Sequence, residues 1–144
     1  MSRTVKRDTA VKVTLVIGGK RFGIKKTVIA VHRLYGEYLE TAGQLFTYAA
    51  MVGDLQEEAV AANEKRKEQI IEEIQEKTSE IEEFSRNKID ALLRIIRIIC
   101  ETNGYDFDEQ WWLTNAEQAD LQWFIVETIR KDVSDKKKEE QKDG

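Results

Sequence analysis

The stretch VKVTLVIGGKRFGI, residues 11–24, decides how the rest of the chain is read. Val11, Val13, Leu15 and Ile17 alternate with Lys12, Thr14 and Val16, the period of a strand with one buried face. Gly18-Gly19 supplies two residues that reach positive φ without steric cost, and Phe22 and Ile24 resume the alternation. The spacing predicts a β-hairpin over 11–25. Two strands are marginal in water, so this hairpin needs helices or another chain against its apolar face. The ten residues before it are polar and are expected to be loose. The alternation also argues against a signal peptide at the start of MSRTVKRDTAVKVTLVIGG.

From about residue 28 the period changes to three and four. Leu34, Tyr35, Tyr38, Leu39, Ala42, Leu45, Phe46 and Ala49 share one stripe and predict a helix over about 28–52. Gly36, Gly43 and Gly53 weaken it, and Gly53 is the expected break before a second helix, 54–102, capped by Asp54. The chain has no proline, so nothing interrupts that second helix before Asn103-Gly104 stops it. Its first part, 54–83, carries a thin apolar stripe of Val60, Ile70, Ile71, Ile74 and Ile81, the pattern of a coiled coil or helical hairpin. Lys67, Lys77 and Lys88 stand where that pattern expects apolar residues. Residues 89–100, IDALLRIIRIIC, are apolar on most sides and predict burial.

Thr114-Asn115-Ala116-Glu117 has the form of a capping box opening a last helix over 115–132. On it Leu121, Phe124, Ile125 and Ile129 share one face, Trp123 lies opposite, and Val126 falls between. The charged residues 133–144 are expected to be disordered. The predicted fold is mainly α with a small N-terminal β-hairpin (α+β): a helical bundle with a long charged, partly coiled-coil-like helix, in one domain over 1–132.

Composition bounds the chemistry. One cysteine, Cys100, excludes an intramolecular disulfide framework, and one histidine, His32, offers no metal constellation. Together with the absence of a long apolar run this leads to the expectation of a cytoplasmic protein with no membrane contact. The net charge of −4 is unevenly spread: residues 1–40 hold nine Lys/Arg against three Asp/Glu. Lys20, Arg21, Lys25 and Lys26 around Phe22 are the one arrangement suited to nucleic acid, with phosphate contacts and a stacked base. The acidic whole, with a pI near 5.2, opposes strong phosphate affinity. Gly18-Gly19-Lys20 lacks phosphate-loop spacing and reads as a turn. No nucleophile–base pair or metal-ligand spacing stands out, so neither enzyme chemistry nor a cofactor is expected.

Interaction surfaces remain. Trp111, Trp112 and Trp123 fall within thirteen positions. Adjacent tryptophans cannot point the same way, so at least one of the three is expected to be exposed, with Val126, as a partner contact. Trp111 and Trp112 are placed in a non-helical approach to the Thr114 cap, one of them sealing the core. Glu72, Glu73, Glu76, Glu80 and Glu83, with Glu82, form an acidic helical ridge, either plain solvated surface or a docking site for a basic partner. The thin stripe at 54–88 also allows self-association through helices.

The turn GGKRFGI, a helical body, and an ending Asp108-Glu109-Gln110-Trp111-Trp112-Leu113 followed by the Thr114 cap and by Phe124-Ile125 and Thr128-Ile129 resemble the tail assembly chaperones of long-tailed bacteriophages, over residues 11–50 and 89–132. The resemblance implies a non-enzymatic protein that binds the helical tape-measure protein, keeps it soluble and recruits tail-tube subunits. It also implies a longer product made by ribosomal frameshifting. Lys136-Lys137-Lys138 is where an adenine run would form the slippery site, which the gene sequence tests directly. The competing reading is a small acidic helical adaptor or inhibitor that uses the ridge at 72–83 to occupy a basic site on a host protein.

Overall fold

The computed structural model describes residues 3–9 and 12–142. The chain is mainly helical with a small antiparallel sheet at the N-terminal side, in the order β1 (Arg3–Thr9), β2 (Lys12–Ile17), β3 (Lys20–Ile24), α1 (Ile29–Ala61), α2 (Glu64–Thr102), α3 (Glu109–Asn115) and α4 (Gln118–Lys142). It divides into two units, one comprising 1–35 and 89–144 and the other 36–88.

In the first unit the predicted hairpin is present, with Leu15 opposite Phe22 and Ile17 opposite Lys20. Gly18 and Gly19 stand at φ 56° and 80°, the two positive values that a tight two-residue turn requires. A Cβ on Gly18 would also lie 3.3 Å from Cβ of Asn115. The hairpin is the second half of a three-stranded meander with β2 at its centre, because Arg3–Thr9, expected to be loose, pairs with β2 (Arg3 opposite Ile17, Val5 opposite Leu15). An edge strand needs few apolar residues, and basic side chains there oppose edge-to-edge aggregation, so its polar composition hid it. Val11 of the predicted alternation lies outside the described residues.

Val13, Leu15, Ile17, Phe22 and Ile24 bury one face of the sheet. Leu92, Leu93, Ile95, Ile96, Ile99 and Cys100 of α2, Trp112 of α3, and Leu121, Phe124 and Ile125 of α4 are buried in the same unit, Trp112 and Phe124 against Phe22. Burial on so many sides explains why 89–100 is apolar nearly all round. α4 packs against β2.

Two helix starts differ from the sequence reading. Thr114 and Asn115 belong to α3, whose N-cap is Asp108; its carboxylate accepts from the amides of Gln110 (3.1 Å) and Trp111 (3.4 Å). Trp111 and Trp112 are therefore helical. α4 opens later, where the Asp120 carboxylate reaches back to accept from the Glu117 amide at 2.9 Å, one half of a capping box with aspartate in the reaching position. α4 also continues to Lys142, past the predicted end at 132. DVSDKKKEEQK contains neither Gly nor Pro, and Lys, Glu and Gln favour helix. Residues 143–144 of the predicted tail lie outside the described residues.

The second unit is an antiparallel helical hairpin. Tyr38 stacks on Phe84 (centroids 5.5 Å apart), the Lys77 ammonium lies 5.6 Å from the Tyr48 ring centroid, and Arg66 bonds Glu58 at 2.9 Å. The break is not at Gly53. α1 runs through all three glycines to Ala61, and the turn is Ala62-Asn63, where the Asn63 side chain accepts from the Arg66 amide at 2.9 Å. Each glycine costs a helix about 1 kcal/mol relative to alanine, which weakens it without ending it. Ile70, Ile74, Lys77, Ile81, Phe84 and Lys88 form the inner stripe of α2 in strict four–three spacing, all buried or half-buried. The Lys77 aliphatic stem fills a seam position while its charge rests over Tyr48, so an apparent fault in the heptad is a packed residue. The predicted single stripe on α1 divides: Tyr38 is buried and Leu45 half-buried, but Leu39 and Phe46 face outward, 49% and 79% exposed.

Candidate functional site

Trp112 is 2% exposed and packs on Phe22 (5.2 Å) and Phe124 (5.1 Å), so it is core. Phe22, fully buried, also meets Tyr105, Trp111 and Phe124 with centroids 5.4, 5.9 and 5.4 Å away. A ring buried this way is not available to stack a base, which removes the aromatic half of the nucleic-acid arrangement. Trp111 turns edge-on to Trp112 (5.2 Å) and is half-buried beneath the Lys20 ammonium, 5.0 Å from its centroid. Trp123 is half-buried too, with the Arg3 guanidinium 5.8 Å above its ring.

The expectation of a freely exposed tryptophan is therefore corrected: the basic residues Lys20 and Arg3 of the sheet cover the two that the core does not take. Arg3 is held by Asp120 (3.3 Å), the same carboxylate that opens α4. The Trp123 cover is thus built into the junction of β1 and α4. Val126 is half-buried. Trp111, Trp112, Trp123 and Val126 do not form one exposed patch.

The acidic candidates lie on α2 in the other unit. Glu72, Glu76, Glu80 and Glu83 are exposed and follow one another at helical spacing. Glu73 is set apart, half-buried and 3.7 Å from Arg66. The larger exposed apolar side chains of this unit, Leu39, Phe46, Met51, Val60 and Ile71, lie outside the sites expected from sequence. Their signal was available: Leu39, Phe46 and Val60 stand at multiples of seven, a period separate from that of the inner stripe.

Among the described residues no group of three or more His, Cys, Asp or Glu is arranged to hold a metal ion, and no helix is long and apolar enough to cross a membrane. His32 Nε2 lies 2.9 Å from an Asp132 carboxylate oxygen. Asn103 clamps the segment after β3: Oδ1 accepts from the amides of Lys25 (2.8 Å) and Lys26 (2.9 Å), and Nδ2 donates to the carbonyls of Lys26 (3.0 Å) and Ile99 (2.8 Å). Tyr105 adds a hydroxyl contact at 2.6 Å from the Gly23 amide.

Burial pushes the Cys100 thiol up to about 12, with Lys20 opposing and Glu101 reinforcing the shift. Its thiolate is therefore scarce across the physiological range. Native protein at pH 8 should react with a thiol reagent only through unfolding, whereas protein in concentrated urea should label at the rate of free cysteine; fast native labelling would contradict the buried placement.

No protein-family model matches this chain, and no curated protein or solved structure is significantly similar to it.

Proposed function

We propose that the protein is a non-enzymatic assembly chaperone that binds an amphipathic helical partner, as the resemblance to phage tail assembly chaperones implies, with the tape-measure protein and tail-tube subunits as its partners. One observation carries the reading. The helical hairpin over 36–88 buries only Tyr38 and Ile70 among its large apolar side chains, while Leu39, Phe46, Met51, Val60 and Ile71 stand exposed. A hairpin that leaves more apolar side chains outside than it fully buries is suited to shielding another helix from water.

The reading expects a very long helical open reading frame immediately downstream in the gene sequence, and co-expression of the full chain with that long helical polypeptide tests it. The polypeptide should pellet alone and stay soluble in a defined complex with this chain, and unchanged solubility would sink the proposal. A second reading, an acidic adaptor on a basic host site, is favoured by the exposed line Glu72, Glu76, Glu80 and Glu83. Salt separates the two. At 0.5 M the screening length falls to about 4 Å, so an acidic mimic loses its partner while an apolar clasp keeps it.

A further inference from the structure

We infer that the outward face of α1 between Gly36 and Val60 is the docking surface, and that its occupant is an amphipathic helix whose apolar stripe is edged by Lys or Arg; the inference rests on the chaperone reading and names its surface. Leu39, Phe46 and Val60 recur at multiples of seven, with exposures of 49%, 79% and 85%. Gly36, Gly43 and Ala50 recur at the same interval three residues earlier and are also exposed. Large and small residues interleaved in this way make the knobs and holes of a two-helix seam, and among the described residues no second helix covers it. A Cβ built on Gly36, Gly43 or Gly53 would meet nothing within 4 Å. These glycines keep open a space into which a partner backbone fits closely.

Charge identifies the occupant. From Leu34 to Ala61 the chain contains no Lys or Arg, while Glu40, four residues after Gly36, and Asp54 and Glu57, beside Ala50 and Val60 at helical spacing, are exposed along this face; Glu58 is already bonded to Arg66. Between Thr41 and Gly53 there is no charge of either sign. The face is thus an apolar middle with acidic ends. A second copy laid on it would bring carboxylates against carboxylates, whereas a helix with basic edges neutralises them.

The probe is a synthetic four-heptad helix with Leu at positions a and d and Lys at e and g, paired with a twin carrying Glu in place of Lys, titrated against the full chain by fluorescence anisotropy. The Lys peptide should bind at least about ten-fold tighter than its twin, and Phe46→Glu should lose about ten-fold with an unchanged far-ultraviolet circular dichroism spectrum, a difference of about 1.4 kcal/mol. Gly43→Ala should raise the melting temperature of the free protein yet weaken peptide binding, a combination that a purely structural glycine does not produce.

Wild-type affinity in both variants overturns the inference. So does binding that survives Phe46→Glu but disappears in Glu76→Gln/Glu80→Gln, which assigns it to the ridge. A dimer of the free protein that Phe46→Glu dissolves, read by light scattering, would make a second copy the occupant and overturn it as well. If Phe46→Glu still keeps the long helical polypeptide soluble, this surface is wrong and the chaperone reading stands. If wild type binds the Lys peptide through Phe46 but leaves the polypeptide insoluble, the surface stands and the chaperone reading falls.

Discussion

Phe22→Ala should destabilise the protein by about 3–5 kcal/mol, the range for emptying a well-packed aromatic site. The ring is fully buried and meets those of Tyr105, Trp111, Trp112 and Phe124 within 6 Å, which adds the directional part of aromatic packing to the loss of buried area. Few neighbours can collapse into the gap, because Phe22 sits on a paired strand and its neighbours are rigid rings. Such a loss is a large share of the roughly 5–15 kcal/mol that stabilises an ordinary domain. Urea unfolding followed by tryptophan fluorescence measures it directly. A shift below about 1 kcal/mol would mean the aromatic cluster is not the keystone of this unit.

Asn103→Ala should cost about 2–3 kcal/mol, since four hydrogen bonds are lost at once, each with a net worth of about 0.5–1.5 kcal/mol, and water recovers part of the exposed ones. Hydrogen exchange distinguishes this from a general loss of stability: the amides of Lys25 and Lys26, which donate to Asn103 Oδ1, should exchange faster in the variant while β2 amides retain their protection. Asn103→Asp keeps an oxygen to accept both amides but removes the two N–H donors to the carbonyls of Lys26 and Ile99. It should therefore preserve protection at Lys25 and Lys26 better than alanine does.

The parts legible in the sequence were those with a strong local period. The β2–β3 hairpin, the burial of 89–100 and the stop at Asn103-Gly104 each follow from alternation, all-round apolarity or turn chemistry confined to a few residues. β1 was hidden because an edge strand in contact with one neighbour needs no apolar alternation. The break between α1 and α2 falls beyond Gly53, because glycine weakens a helix without ending it. Asn63, an N-cap immediately followed by Glu64, was the available signal. The same holds for Asp108, whose position before Glu109 marked the start of α3.

The tryptophans were harder for a different reason. Nothing in the local pattern of α4 says that Arg3, more than a hundred residues away, covers Trp123. The outward seam on α1 was legible in principle, but two periods share that helix, and merging them put Leu39 and Phe46 into the core.

The order of synthesis gives the sheet a further consequence. The three strands leave the ribosome before the helices that follow them, yet Phe22 finds its ring partners only in residues 105–124. At about 5–20 residues per second, the nascent chain therefore carries an uncovered apolar meander for several seconds before α2, α3 and α4 arrive. The hairpin over 36–88 closes through shorter chain separations and is expected to form before the sheet gains its cover. A protein proposed to shelter another chain's helices thus has, during its own translation, an apolar surface that waits for cover.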